Sequence, residues 1–364
     1  MVIGIPKEIK THEYRVAVTP EGVRELSRAG HKIFIEQGAG LACGFSDSQY
    51  KDAGAPVMDK ERLFKESALI VKVKEPLSSE YELFREGQAL FTFLHLAPNP
   101  ELIGMLIDKK ITALGYETLE EEGRLPLLQP MSEIAGRMSP IVAGYYLQRT
   151  KGGSGLLPTG AVGVLPANIL IIGGGSVGEN AARVALGIGM RVTVVNRGID
   201  RLRRLDEMFS GKVNTLPSME YNIRGALKDA DIVIGAVLLI GAKAPVLITE
   251  EMVKGMKKGS VIVDVSIDQG GCIETSKPTT HENPVYEAHG IIHYAVTNMP
   301  GAYPRTSTMA LTNCTLPYIK RLVDMGIEIA LRKDRALRTA LNIYDGKVTH
   351  KGLSDSTGIP LGEI

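Results

Sequence analysis

What this sequence lacks narrows its chemistry before any motif is read. Charge of one sign is missing: Lys and Arg number 42 against 41 Asp and Glu, a net charge of +1. That balance calls for neither nucleic acid nor an anionic membrane as partner. Cysteine is scarce. Cys43, Cys272 and Cys314 are isolated and without a C-x-x-C, which argues against a disulfide framework or a zinc site, leaves no metal expected, and suits a reducing cytosol. Long apolar runs are absent as well. The best, IVIGAVLLIGA from Ile232, is about half the ~20 residues a membrane helix needs. The opening MVIGIPKEIK meets Pro6 and charge too early to read as a signal peptide, so a cytoplasmic chain is expected. Aromatics are few at 5%, but an apolar fraction of 44% is ordinary for a globular protein, and 364 residues suggest two domains with a core in each.

What is present is a nucleotide-binding signature. Residues 168–196, NILIIGGGSVGENAARVALGIGMRVTVVN, read as an apolar strand, a glycine turn, a helix opening at Ser176 and Val177, and a second apolar strand. Gly173, Gly175 and Gly178 fall on the G-x-G-x-x-G spacing. The first permits the tight turn, the second lets backbone approach a pyrophosphate, and the third lets helix pack closely on strand. The free N–H groups and positive dipole end of the helix then favour the anion. Glycine spacing alone is weak evidence, because any tight strand-to-helix turn can produce it. Flanked by strand, helix and strand, it predicts a dinucleotide site.

Strand and helix alternate along the rest of the chain, which predicts an α/β protein with two doubly wound, parallel-sheet (Rossmann-like) domains facing a cleft. Early strands are expected at 2–5, 31–36, 69–73, 90–94 and 111–116, with helices at 20–29 and 101–109 among them. After the glycine turn, strands follow at 191–196, 231–236, 260–265 and 291–295. Residues 133–150 read as a helix, 151–160 (KGGSGLLPTG) as a surface loop, and 311–325 as a helix that Pro317 would kink. The tail can return to the first domain. The expected division is therefore 1–128 with 304–364 as a discontinuous substrate domain and 129–303 as the nucleotide domain.

In open parallel sheets, ligands lie beyond the carboxyl ends of the strands. Arg15, Lys74, His95 and Glu117 fall at such ends in the first domain, and Asp268 and Asn298 in the second. A cation-rich wall opposing a carboxylate suits a small acid substrate. Each residue also has an ordinary reading. Arg15 can be a solvated charge, Lys74 can alternate with Lys72 on a solvent face, and His95 can be a satisfied strand-end histidine. Asp268, in IDQGG, can be a turn former. Glu117 begins the acidic run ETLEEEG and reads as solvated surface, and Met131 and Met299 read as core fillers.

The chain resembles the bacterial alanine dehydrogenases over nearly its whole length. The blocks that carry the likeness are GIPKEIK, YRVAVTPEGV, VKVKEP, FTFLHLA, PLLQPMSEIAGRMS, GAVLLIGAKAP, VDVSIDQGGCIET, KPTTH and TNMPGAYPRTSTMALTN. VDVSIDQGG with TNMPGA sets it apart from the related transhydrogenase subunit and saccharopine-pathway enzymes. The resemblance implies NAD-linked, reversible oxidative deamination of L-alanine to pyruvate and ammonium, by a homohexamer. It implies substrate binding by Arg15 and Lys74 and acid–base work by His95 and Asp268. Ser132, Val177, Ser218, Val237, Leu238, Asn298 and Met299 match cofactor-contacting positions. Val265, Ser266 and Ile267 before Asp268, and Val296 before Asn298, complete the set on the nicotinamide side.

At the adenosine end the chain departs from the family. Asn196 stands where an aspartate usually meets the ribose, followed by Arg197 and, a turn later, Arg201. NAD is the expected cofactor, with NADP admitted by the missing acid. Tyr14 replaces a usual asparagine beside Arg15. Chemically, a guanidinium and an ammonium suit a carboxylate and a carbonyl oxygen, and an imidazole whose reference pKa is about 6.5 suits proton traffic during imine hydrolysis. Two other readings stay open: another small amino-acid or 2-oxo-acid dehydrogenase, and a dinucleotide-binding regulator without chemistry.

Overall fold

Short apolar runs, most of them ended by a glycine, proline or charged residue, build two sheets in a computed structural model that describes residues 1–237 and 244–363. The strands in chain order are Val2–Ile5 (β1), Lys32–Glu36 (β2), Val57–Met58 (β3), Leu69–Val71 (β4), Ala89–Thr92 (β5) and Thr112–Gly115 (β6). There follow Asn168–Ile172 (β7), Arg191–Asn196 (β8), Val213–Pro217 (β9), Ile232–Gly235 (β10), Val261–Asp264 (β11), Val285–Ala288 (β12) and Ile291–Tyr294 (β13). Leu341–Tyr344 (β14) and Lys347–Val348 (β15) come last. The chain divides into two units, one of residues 1–131 with 301–364 and one of residues 132–300.

The first unit holds an eight-stranded sheet in the order β15-β14-β6-β5-β4-β1-β2-β3. β1 pairs in parallel with both β2 and β4, so the winding reverses there and opens a crevice at the carboxyl ends of these strands. The second unit holds a seven-stranded sheet, β12-β13-β11-β10-β7-β8-β9, with its own reversal between β7 and β10. Both are doubly wound, as the alternation predicts.

Neither sheet is wholly parallel. β14 and β15 run antiparallel at one edge of the first sheet, and β12 lies antiparallel to β13 in the second. Two-residue turns make the β14–β15 and β12–β13 pairs antiparallel. Asp345–Gly346 and His289–Gly290 both have positive φ at each position (45° and 73°, 55° and 73°), the geometry that folds a strand straight back. These hairpins, β3 and β9 all escaped the helix–strand alternation.

Helix Gln129–Tyr146 starts earlier than its sequence suggested and runs through Pro140. Helix Pro304–Met325 likewise runs through Pro317. The latter fixes the segment after β1, because Thr308 Oγ1 accepts the Val16 N–H at 3.1 Å and Leu311, Ile319 and Leu322 are buried. Among the described residues no helix is long and apolar enough to cross a membrane.

Candidate active site

The first unit gathers Arg15, Lys74 and His95 at the carboxyl edge of its sheet, with the Arg15 and His95 side chains each held by a carboxylate. Arg15 is only 2% exposed, which ends its reading as a solvated charge. Glu13 grips it with two parallel bonds, from Nε to Oε1 and from Nη2 to Oε2, each 2.6 Å. Nη1 lies 2.9 Å from Met131 Sδ. Burial pushes the Glu13 carboxyl up, but the charge and hydrogen bonds of Arg15, with the charge of Lys74, hold it below the usual carboxylate range. For Lys74, burial and then the nearby Arg15 charge lower the ammonium below its ordinary value. The guanidinium and the ammonium therefore feel each other.

Two readings fail here. Lys72 lies on no solvent face: it is fully buried, with Nζ 3.3 Å from Glu8 and 3.0 Å from Glu80. Past Val71 the strand bends into a loop whose Val73 and Lys74 N–H groups donate to Glu8, and alternation stops applying. Glu117 is not solvated surface either. Its carboxylate accepts the backbone N–H groups of Leu94 (3.0 Å) and His95 (2.7 Å). That explains how His95 keeps a left-handed backbone (φ 45°), which a residue with a Cβ seldom adopts. The imidazole Nδ1 lies 3.2 Å from Glu75, whose other oxygen is paired with Lys10. Burial raises the Glu75 carboxyl, but the hydrogen bonds and charges of His95 and Lys10 bring it down to about 2.

In the second unit, the glycine turn fits a dinucleotide phosphate in the way its spacing predicts. A Cβ on Gly173 (φ 108°) would strike the Ala236 carbonyl, and one on Gly178 would strike the Gly173 carbonyl. A Cβ on Gly175 would meet nothing, so this face of the turn is open. Gly175 caps helix Ser176–Gly187 without a side-chain hydrogen bond, leaving N–H groups for an anion. Helix Gln129–Tyr146, which carries half-buried Ser132, packs so closely that a Cβ on Gly136 would meet the Val177 carbonyl.

At the end of β8, Asn196 Oδ1 accepts the Gly174 N–H at 3.0 Å and Nδ2 donates to Gly198 O at 3.1 Å. The Asn196 carbonyl in turn accepts the Ser218 N–H at 3.0 Å. Arg201 bonds the Gly174 carbonyl and Glu179, and Arg203 pairs with Asp200. Arg197 is exposed and makes no ion pair among the described residues.

Past β10, the Val237 N–H donates to Ser266 Oγ at 2.9 Å. Leu238 lies outside the described residues. Past β11, the segment Val265–Gln269 forms a single 3₁₀ turn, with Ser266 and Ile267 buried and Asp268 exposed. Asp264 anchors that turn by accepting the N–H groups of Ser266 and Cys272, both at 3.1 Å. Past β13, Val296 and Met299 are buried, and Asn298, left-handed at φ 58°, donates its N–H to Asp268 at 3.3 Å. Asp268 therefore does form a turn, and it also braces the neighbouring strand end. Among the described residues, no group of three or more His, Cys, Asp or Glu is placed to hold a metal ion.

Sequence reasoning found the cations and missed the carboxylates Glu8, Glu13 and Glu75. Only the two-residue spacing of Glu13 and Arg15 and the adjacency of Glu75 to Lys74 hinted at them.

Comparison with known proteins agrees with this architecture. Residues 4–135 match the family model described as alanine dehydrogenase/PNT, N-terminal domain, and residues 139–351 match its C-terminal counterpart. An alanine dehydrogenase of Methanococcus maripaludis is 53% identical over 99% of this chain and 97% of its own. One from Bacillus subtilis is 51% identical over 98% and 95%. Among solved structures, an L-alanine dehydrogenase superposes with a TM-score of 0.95 at 46% identity, covering 98% of this chain and 99% of the other. A transhydrogenase from Sinorhizobium meliloti gives 0.83 at 25% identity, covering 96% and 99%.

Proposed function

The chain belongs to the alanine dehydrogenase/PNT family, and from that membership we propose that it interconverts L-alanine with pyruvate and ammonium, using NAD. The observation that carries the reading is the cluster in the first unit: a buried guanidinium and a half-buried ammonium in mutual electrostatic contact, beside an imidazole held by carboxylates. Arg15 and Lys74 bind the substrate carboxylate and the keto oxygen of pyruvate. Glu13 engages the Nε–Nη2 edge of Arg15 and so fixes the plane of the guanidinium. Gly173, Gly175, Ser176, Val177 and Gly178 hold the pyrophosphate, with Ser132, Ser218, Val237 and residues 265–268 and 296–299 along the rest of the cofactor. When bound, the nicotinamide supplies the hydride acceptor. His95 takes a proton from the water that attacks the iminium carbon, returns it to the nitrogen, and takes the carbinol O–H proton as the C–N bond breaks and the carbonyl forms, while Asp268 orients the water.

Cofactor choice turns on Asn196. An aspartate there would repel a 2′-phosphate, whereas an amide carries no charge. Arg201 and Arg203 are engaged by Glu179 and Asp200, while exposed Arg197, directly after Asn196, is a cation for such a phosphate. We expect L-alanine to drive reduction of NAD and, less well, of NADP, with glycine and L-serine poorer substrates. The kcat/KM ratio for NAD over NADP should rise about 10- to 100-fold in Asn196→Asp, equivalent to about 1–3 kcal/mol. The absorbance of reduced cofactor reads all of these. A parent enzyme that already rejects NADP by about a thousand-fold, roughly 4 kcal/mol, would overturn the proposed laxity. Cofactor binding without any turnover would favour the regulator.

We also propose a cytoplasmic homohexamer, a setting that fits three cysteines outside any disulfide. Supporting assembly through the second unit, Leu157, Val162, Val164 and Leu165 stand exposed around the Ala161–Val164 bridge, as do Ile141 and Tyr145 on helix Gln129–Tyr146. Monomeric proteins seldom leave such a patch open. Light scattering should report six chains, and a stable monomer at micromolar concentration would refute it.

A further inference from the structure

His95 is fixed at two points. Its backbone is held by Glu117, and its ring is held by Glu75, with the Phe93 ring 5.9 Å away. A carboxylate can only accept, so the 3.2 Å contact places the imidazole proton on Nδ1 and leaves Nε2 for the reaction. Glu75 is not a surface acid that meets His95 by chance. It is 7% exposed, follows Lys74 directly and is clamped from the other side by Lys10. A buried carboxylate could instead be there to fix the loop after β4, but Glu8 already does that by taking the Val73 and Lys74 N–H groups.

We propose that Glu75 is a positioning residue for the reaction, setting the tautomer and basicity of His95, and that Lys10 tempers it by sharing its charge. The proposal rests on the reading of His95 as the proton-transfer group. In deamination the ring must accept a proton at Nε2 from the attacking water. The charge that develops is then an imidazolium whose Nδ1–H already points at a carboxylate, so the reaction meets a preformed counter-charge. Lys10 works in the opposite sense by drawing on the same carboxylate. The other charged or titratable groups facing this pair are Lys74 and Tyr81, which feel the Glu75 charge, and Glu117 beneath the His95 backbone.

The test uses two variants that should move one observable in opposite directions, which general damage to the fold would not do. In Glu75→Gln the imidazolium loses its counter-charge. The ascending limb of kcat/KM for L-alanine against pH should move about one unit toward acid, and kcat should fall about 10- to 100-fold, with the KM for NAD unchanged. In Lys10→Met the same limb should move toward alkali, by less, because Lys10 is 42% exposed. Nitrogen-15 NMR of histidine-labelled enzyme, with the resonance assigned by its loss in His95→Gln, should show the Nδ1–H tautomer in the parent and its erosion in Glu75→Leu. Limbs that stay put, or that move together, in variants of an enzyme that His95→Ala inactivates would leave Glu75 a packing residue and overturn the proposal. Near-normal turnover in His95→Ala would remove the catalytic reading itself, a failure recognised in a different variant.

Discussion

His95→Ala and Asp268→Ala are each expected to lower turnover of L-alanine by about 10²–10⁴-fold, with affinity for the dinucleotide little changed. Both residues are tied to backbone that the chain would not choose for packing. His95 is left-handed and needs Glu117 to stay so, while Asp268 braces left-handed Asn298. Strain of this kind, about 1–3 kcal/mol per residue, survives where surrounding structure over-determines it, and functional sites are where it collects. Asp268→Asn separates chemistry from architecture. The amide can still accept the Asn298 N–H but carries no charge, so turnover should fall nearly as far as in the alanine variant while the 3₁₀ turn persists. Steady-state assays in both directions, with cofactor binding measured by nucleotide fluorescence, decide the matter. Near-normal turnover in both alanine variants would show that neither group handles the proton.

Much of the fold could be read from period and punctuation. Apolar runs separated by helical segments predicted the doubly wound sheets, and β1, β7 and β8 begin and end within a residue of their expected limits. The misreadings share a cause. The two hairpins depend on Asp345–Gly346 and His289–Gly290, two-residue signals easily lost among forty glycines. In the site, basic residues stood out because cations beyond strand ends are unusual in an apolar context. Their carboxylates did not, because an acidic residue in a polar stretch resembles surface until the fold turns it inward. Glu117 meets a backbone 22 residues away and Glu8 one 65 residues away, and no local pattern reports such partners. Lys72 shows the converse error: a two-residue alternation was extended past the point where the strand stops.

Arg15 should show the largest change in stability, because its binding role and its buried partner are inseparable. Arg15→Lys is expected to raise the KM for pyruvate about 10- to 100-fold, since an ammonium cannot both satisfy Glu13 and present directional donors to the substrate. Arg15→Met goes further. It leaves Glu13, itself 4% exposed, as a buried carboxylate without its cation, and removing one partner of such a pair costs about 3–5 kcal/mol. The second substitution in Arg15→Met/Glu13→Gln should recover much of that loss without restoring pyruvate binding. The pH dependence gives an independent sign. In the parent, burial is outweighed by Arg15 and the Glu13 carboxyl titrates below its ordinary 4.5. Its stabilisation is therefore present above 4.5 and lost as pH falls through the folded-state value. Without Arg15, burial dominates and the carboxyl shifts above 4.5, so acidification from neutral pH toward 4.5 should relieve the variant while the parent gains nothing. Urea unfolding followed by circular dichroism at pH 7 and pH 5 compares the two. If Arg15→Met unfolds at the parent's midpoint at both pH values, Glu13 has another way to be satisfied, and the ion pair is not what holds the guanidinium at the edge of the sheet.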